Sequence, residues 1–196
     1  FCEKKEGLQF VPNQLHSHNL CVPLCCHGSR RRVEAEASGG SGNFMAHAPF
    51  AARPERPKLL PPRDMPTRKL GSEKGRAAQI HALAHIELNA IDLACDMAGR
   101  FCDRGLDDGF YGDWLSIAAD EARHFLMLEK RLNDMGFGYG DFPAHDGLWE
   151  ASEKTAHDFA ARLAIVPMVL EARGLDVTPG MIEAMTRQDD LKTAEY

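Results

Sequence analysis

The chain has 196 residues, 44% of them hydrophobic and 27% charged, which are the proportions of a soluble globular protein with room for one real core. A formal net charge of −6 argues against a general nucleic-acid or membrane-surface binder. No run approaches the ~18 apolar residues needed to cross a bilayer. The most apolar stretch, Ala160 to Leu170, is too short and contains Arg162 and Pro167.

Residues 1–48 carry no helical or strand period and are expected to be disordered, with Ser38 to Gly42 as a flexible linker. His16, His18, Cys21, Cys25, Cys26 and His27 are ligand types for zinc, but their spacing matches no zinc finger. No basic region precedes an apolar one, so no signal peptide is expected. Residues 49–71 are rich in proline and should form an extended arm, either free or laid along a helical body. Cys95 and Cys102 lie seven apart on one expected helix, roughly 10 Å from each other and too far for a disulfide. A reducing, cytoplasmic setting follows as the expectation.

From Ser72 a helical period sets in, with Ser72 as N-cap, and runs to about Phe101. One stripe reads Ile80, Ala84, Glu87, Ile91, Ala94, Ala98 and Phe101, and a second reads Leu83, Ile86, Ala90, Leu93 and Met97. Asp107 caps the next predicted helix, whose stripe is Trp114, Ala118, Glu121, Phe125, Leu128, Leu132 and Met135. A glycine-rich loop spans Gly136 to Gly147. Its Tyr139, Asp141, His145 and Asp146 read as turn and capping residues, or as the lining of an entrance. Asp146 should cap a third helix from about Leu148 to Arg173, loosened at Pro167. Thr178-Pro179-Gly180 should then turn the chain, leaving only short helical pieces from Met181 to Tyr196.

Glu87 and Glu121 occupy core positions of two neighbouring helices. A buried, unpaired carboxylate costs several kcal/mol, so each needs a partner, either a metal ion or a cationic side chain. Both sit about 13 to 15 residues from their helix starts, so antiparallel neighbours bring them to one level. His124 follows Glu121 by three residues and leaves the same helix face. Carboxylate-bridged di-metal bundles take a Glu from each of two helices and a Glu-x-x-His from each of two more. Glu171, after the apolar run Ile165 to Leu170, is the candidate third-helix ligand; the alternative is a helix-end glutamate paired with Arg173 or Arg123. Hard oxygen donors with one imidazole suit iron or manganese. His81 and His85 lie about 200 to 240 degrees around the helix from Glu87 and cannot join that site. With Asn89, Asp92 and Asp96 they form a polar face, solvated or between helices.

The blocks HALAHIELNAIDLA, DEARHF, YGDFPAHDGLWE and RLAIVPMVLEARGLDVTPGM closely resemble the bacterial ferritin-like proteins known as the DUF455 family, over about Arg53 to Met185. The resemblance implies an all-α, ferritin-like four-helix bundle over residues 72–196, here three long helices and a truncated fourth. It implies metal ligation by Glu87, Glu121, His124 and Glu171, with two iron ions in the complete fold and manganese as an alternative. The fourth helix of such proteins brings a second Glu-x-x-His, and no such pair follows Glu171, so the helical domain is expected to be incomplete at its C-terminal end. The implied function is a di-iron oxidoreductase or hydroxylase acting on a small molecule or modified nucleoside. The alternative is a metal-free or non-catalytic helical scaffold. An open groove in place of the fourth helix is expected to expose core surface and to favour pairing with another copy.

Overall fold

The computed structural model describes residues 55–195, with the side chain of Glu171 also outside the description. The expectations for residues 1–48, including the zinc-type cluster, and for the start of the proline-rich arm fall outside the described residues. Among the described residues the protein is all-α, with no strand and one isolated bridge between Leu59 and Ala144.

Helix α1 covers Glu73–Arg100. Ser72 caps it as expected, its hydroxyl oxygen accepting from the Gly75 N–H at 3.1 Å. Helix α2 covers Asp108–Asp134, and the Asp107 carboxylate accepts from the Gly109 N–H at 2.6 Å. The short connection contains one 3-10 turn, Cys102–Arg104, and Gly105 at φ +64°, a left-handed conformation that glycine adopts without steric cost. So short a link makes the two helices antiparallel neighbours. Ile80 near the start of α1 packs with Leu132 near the end of α2. At mid-length Ala84, Leu88 and Ile91 meet Ala118 and Phe125. The first stripe of α1 is buried apart from half-buried Glu87, and the second is buried at Ala90, Leu93 and Met97 but exposed at Ile86. The α2 stripe is buried at Ala118, Phe125 and Leu132 and half-buried between them. Side chains such as Ile80, Phe125 and Leu132, each with no exposed surface, contribute about 1.5–3 kcal/mol apiece.

The third helix differs from its expectation. In place of one long helix from Leu148 to Arg173 there are α3 (Gly147–Lys154), α4 (Phe159–Ile165) and a π-helical segment, Val166–Glu171. Thr155 ends α3: its hydroxyl donates back to the carbonyls of Ala151 and Ser152 and competes with the backbone ladder. Asp158 then caps α4 by accepting from the Ala161 N–H at 2.8 Å. Pro167 lacks an N–H, and the chain widens into π turns, with the Ala172 N–H reaching the Pro167 carbonyl five residues back. The expected turn at Thr178-Pro179-Gly180 is helical instead. Helix α5 runs through it over Arg173–Thr186, with Pro179 inside and the Thr178 hydroxyl bonded to the Gly174 carbonyl at 2.7 Å. A last turn, α6, covers Leu191–Ala194. Two long helices, not three, thus form the frame.

The later helices run back along α1. Val166 packs on Leu93, Met97 and Phe101, whereas Met181 accepts from the Gln79 side chain at 3.5 Å. Asp190, buried, accepts from Arg76 at the start of α1 (3.0 Å) and from Arg131 near the end of α2 (2.7 Å). Arg162, 1% exposed, bonds Asp96, the Ser152 carbonyl and the Thr155 hydroxyl, fastening α4 to α1. The described part of the proline-rich arm lies along the glycine-rich loop, through Leu60 N–H to Ala144 O (2.8 Å) and Ala144 N–H to Lys58 O (3.0 Å). Met168, Val169 and Leu175 keep large apolar side chains in the open, at 71%, 56% and 79% exposure.

Candidate metal centre

Antiparallel packing of α1 on α2 brings Glu87 and Glu121 to one level. His124 Nδ1 stands 3.1 Å from Glu121 Oε2 and 3.5 Å from Glu87 Oε2. One donor atom from each of the three lies within 4.8 Å of the other two. Glu87 and Glu121 are half-buried, flanked by the small buried residues Ala84 and Ala118, while His124 faces outward and is about half exposed. Ligand bonds of ~2.0–2.2 Å put neighbouring donors on one ion roughly 3 Å apart. The spacing around His124 therefore fits a shared ion with little adjustment. Two carboxylates and an imidazole are also the donor set that suits iron or manganese.

The backbone of Glu171 ends the π-helical segment, between the Val166 contact with Leu93 and Met97 and the Met181 contact with Gln79. Arg123, one of its two alternative partners, pairs with Asp120 on its own helix.

His81 and His85 lie away from this cluster, as their angle around α1 requires, but they are buried and not solvated. The glycine-rich loop covers them. The Gly140 N–H donates to His81 Nε2 at 2.9 Å, and the Tyr139 hydroxyl meets His85 Nδ1 at 2.7 Å. Tyr139 stacks on His81, with ring centroids 5.1 Å apart. Burial pushes the His81 imidazole down to about 4, Asp141 opposing the shift and Arg68 adding to it. Among the other loop residues, Asp141 accepts from the Gly138 N–H at 2.7 Å and His145 from the Gly147 N–H at 3.3 Å, both in turn roles. Asp146 precedes α3 without a side-chain cap bond.

Sequence reasoning missed the buried network of Asp96, Arg100 and Arg162. Burial would raise the Asp96 carboxyl, but hydrogen bonds from Arg100 and Arg162 outweigh it and hold the group below its usual range. The available signal was Arg162 itself, a charge in an otherwise apolar run, which needs a buried acid to face.

A family model described as "Protein of unknown function (DUF455)" matches residues 24–196. The chain belongs to the DUF455 family. A curated protein of Haemophilus influenzae, described as "Uncharacterized protein", is 48% identical over 146 residues. That match takes in 72% of this chain and 51% of the relative, so the chain spans about half the length of the curated relative. No solved structure matches this DUF455 chain. Among the described residues, no helix is long and apolar enough to cross a membrane.

Proposed function

We propose that this DUF455 chain carries part of a ferritin-like di-metal carboxylate centre, with Glu87, Glu121 and His124 as ligands to iron or manganese and Glu171 as a further ligand. The observation behind the reading is the convergence of three donor atoms within 4.8 Å, from the two longest helices. Two bridged ions held there would supply dioxygen binding and activation, the chemistry of an oxidoreductase acting on an organic substrate. The protein's own part is to hold both carboxylates at one level between packed helices, where their charge offsets that of the ions. His124, half exposed, marks the side from which small molecules reach the centre. The helices after Asp158 run antiparallel to α1, with Glu171 between two points of contact, and that supports its assignment to the same centre. The curated relative is about twice the matched length, which leaves room for the remaining ligands in the whole protein. The exposed apolar side chains around Met168 and Leu175 suit a face covered by another copy of the chain.

A metal-free scaffold is the second reading, favoured by the His124–Glu121 pair, an ordinary contact three residues apart on one helix. Elemental analysis of anaerobically purified protein separates the two. Wild type and His157→Ala, an exposed control, should carry the same iron or manganese, and Glu121→Ala should carry none. Equal metal in all three, or none in any, would remove the metal centre.

A further inference from the structure

A second site stands apart from the carboxylates, where the proline-rich arm crosses the N-terminal half of α1. Pro62, Met65, Thr67, Arg68, Gln79 and His145 line a cavity of about 330 Å³, within the size range of small-molecule sites. Arg68 is half-buried. Among the described residues one of its five N–H donors is used, Nη1 to Gln79 Oε1 at 3.3 Å. Among the described residues no carboxylate lies within ion-pair reach of it, although nine arginine– or lysine–carboxylate pairs form elsewhere among them. Burial holds its pKa below the usual range, the mark of a cation partly withdrawn from water.

The rest of the lining adds donors and no opposing charge. Gln79 is held from both ends, its oxygen by Arg68 and its nitrogen by the Met181 sulfur, so the guanidinium is braced against α1. His145 accepts from the Gly147 N–H through Nδ1, which leaves Nε2 as the protonated nitrogen of the neutral ring. Thr67 brings a hydroxyl, and Met65 and Pro62 bring apolar walls. A planar guanidinium with free parallel donors matches the fork of a carboxylate or phosphate.

We propose that the Arg68 cavity binds an oxyanion group, carboxylate or phosphate, carried by a small molecule. The site is independent of the metal reading, since its residues contribute nothing to the Glu87, Glu121 and His124 cluster. Calorimetric titration of chelator-treated protein with inorganic phosphate and, separately, with succinate at constant ionic strength tests it. Saturable one-to-one binding of one of the two is expected, and the one that binds names the group. Arg68→Gln should weaken it at least tenfold, and Arg63→Gln, an exposed arginine paired with Asp64, should leave it unchanged. No saturable binding of either anion, equal binding by wild type and Arg68→Gln, or equal loss in Arg63→Gln would each overturn the proposal. A readout on the wild-type protein alone guards against a misfolded variant. Nitrogen-edited NMR shifts during titration should centre on the Arg68 Nε–H and the Gln79 side-chain amide, and shifts confined to other residues would also overturn it.

Discussion

His124 Nδ1 reaches across from α2 to within 3.5 Å of Glu87 Oε2 on α1, so the imidazole joins two helices through a carboxylate it does not share a strand of sequence with. In the metal-free chain this contact is half exposed and should contribute little, since pairs of that kind are worth about 0–1 kcal/mol. Glu87→Gln is therefore expected to change the unfolding free energy by less than about 1 kcal/mol. If the proposed centre holds, manganese should raise the Tm of wild type, because ligation stabilises the folded state by mass action, and the same substitution should abolish that rise. A full manganese-dependent shift in Glu87→Gln would exclude Glu87 as a ligand.

His81 makes stability depend on pH. Its folded-state pKa of about 4 lies below the ordinary imidazole value of 6.5, so the unfolded chain binds more protons between those values. The stability that this buried neutral ring contributes is fully present above pH 6.5 and is lost as pH falls towards 4. The upper bound is about 3 kcal/mol, at 1.36 kcal/mol per unit. Urea denaturation of wild type across that window should show the loss. His81→Gln, which keeps an acceptor for the Gly140 N–H, should flatten the profile; an unchanged slope would assign the effect elsewhere.

The two long helices, their caps and the shared level of Glu87 and Glu121 were legible in the sequence because each rests on local chemistry. A capping side chain, a 3.6-residue period and a short connection fix two antiparallel helices without further information. Of the third helix only the loosening at Pro167 was legible. Its break after Lys154 depends on the Thr155 hydroxyl bonding the carbonyls behind it while accepting from Arg162, a tertiary arrangement that no local pattern announces. Likewise the face carrying His81 and His85 is polar by composition, and only the docking of Tyr139 and Gly140 makes it interior.

Arg162 should prove the most sensitive polar residue. It is 1% exposed and satisfies a carbonyl, a hydroxyl and the Asp96 carboxylate together. Arg162→Ala is expected to destabilise by about 3–5 kcal/mol. Arg162→Met, which keeps the volume, should lose less, because Arg100 still neutralises Asp96. Chemical denaturation of the two variants checks the order, and a smaller loss in the alanine variant would contradict it.

Gly75 offers a test with a counterintuitive sign. In an exposed helix interior Gly→Ala gains about 1 kcal/mol. Here an added Cβ would collide with the Lys69 carbonyl oxygen, a backbone atom that cannot swing aside. Gly75→Ala should therefore destabilise by about 2 kcal/mol, a typical penalty for overpacking, as read from thermal unfolding. A stabilised variant would mean that the segment before Ser72 yields easily.

Asp190 has a consequence for the order in which the molecule assembles. Its bonds to Arg76 and Arg131 span 114 and 59 residues of chain. Loop closure over such distances is entropically the most demanding step available, so the contact should form after the local helices and after α1 has met α2. A fluorophore placed near the chain's end would then report completion of folding, not collapse, and would darken or brighten last in a refolding trace.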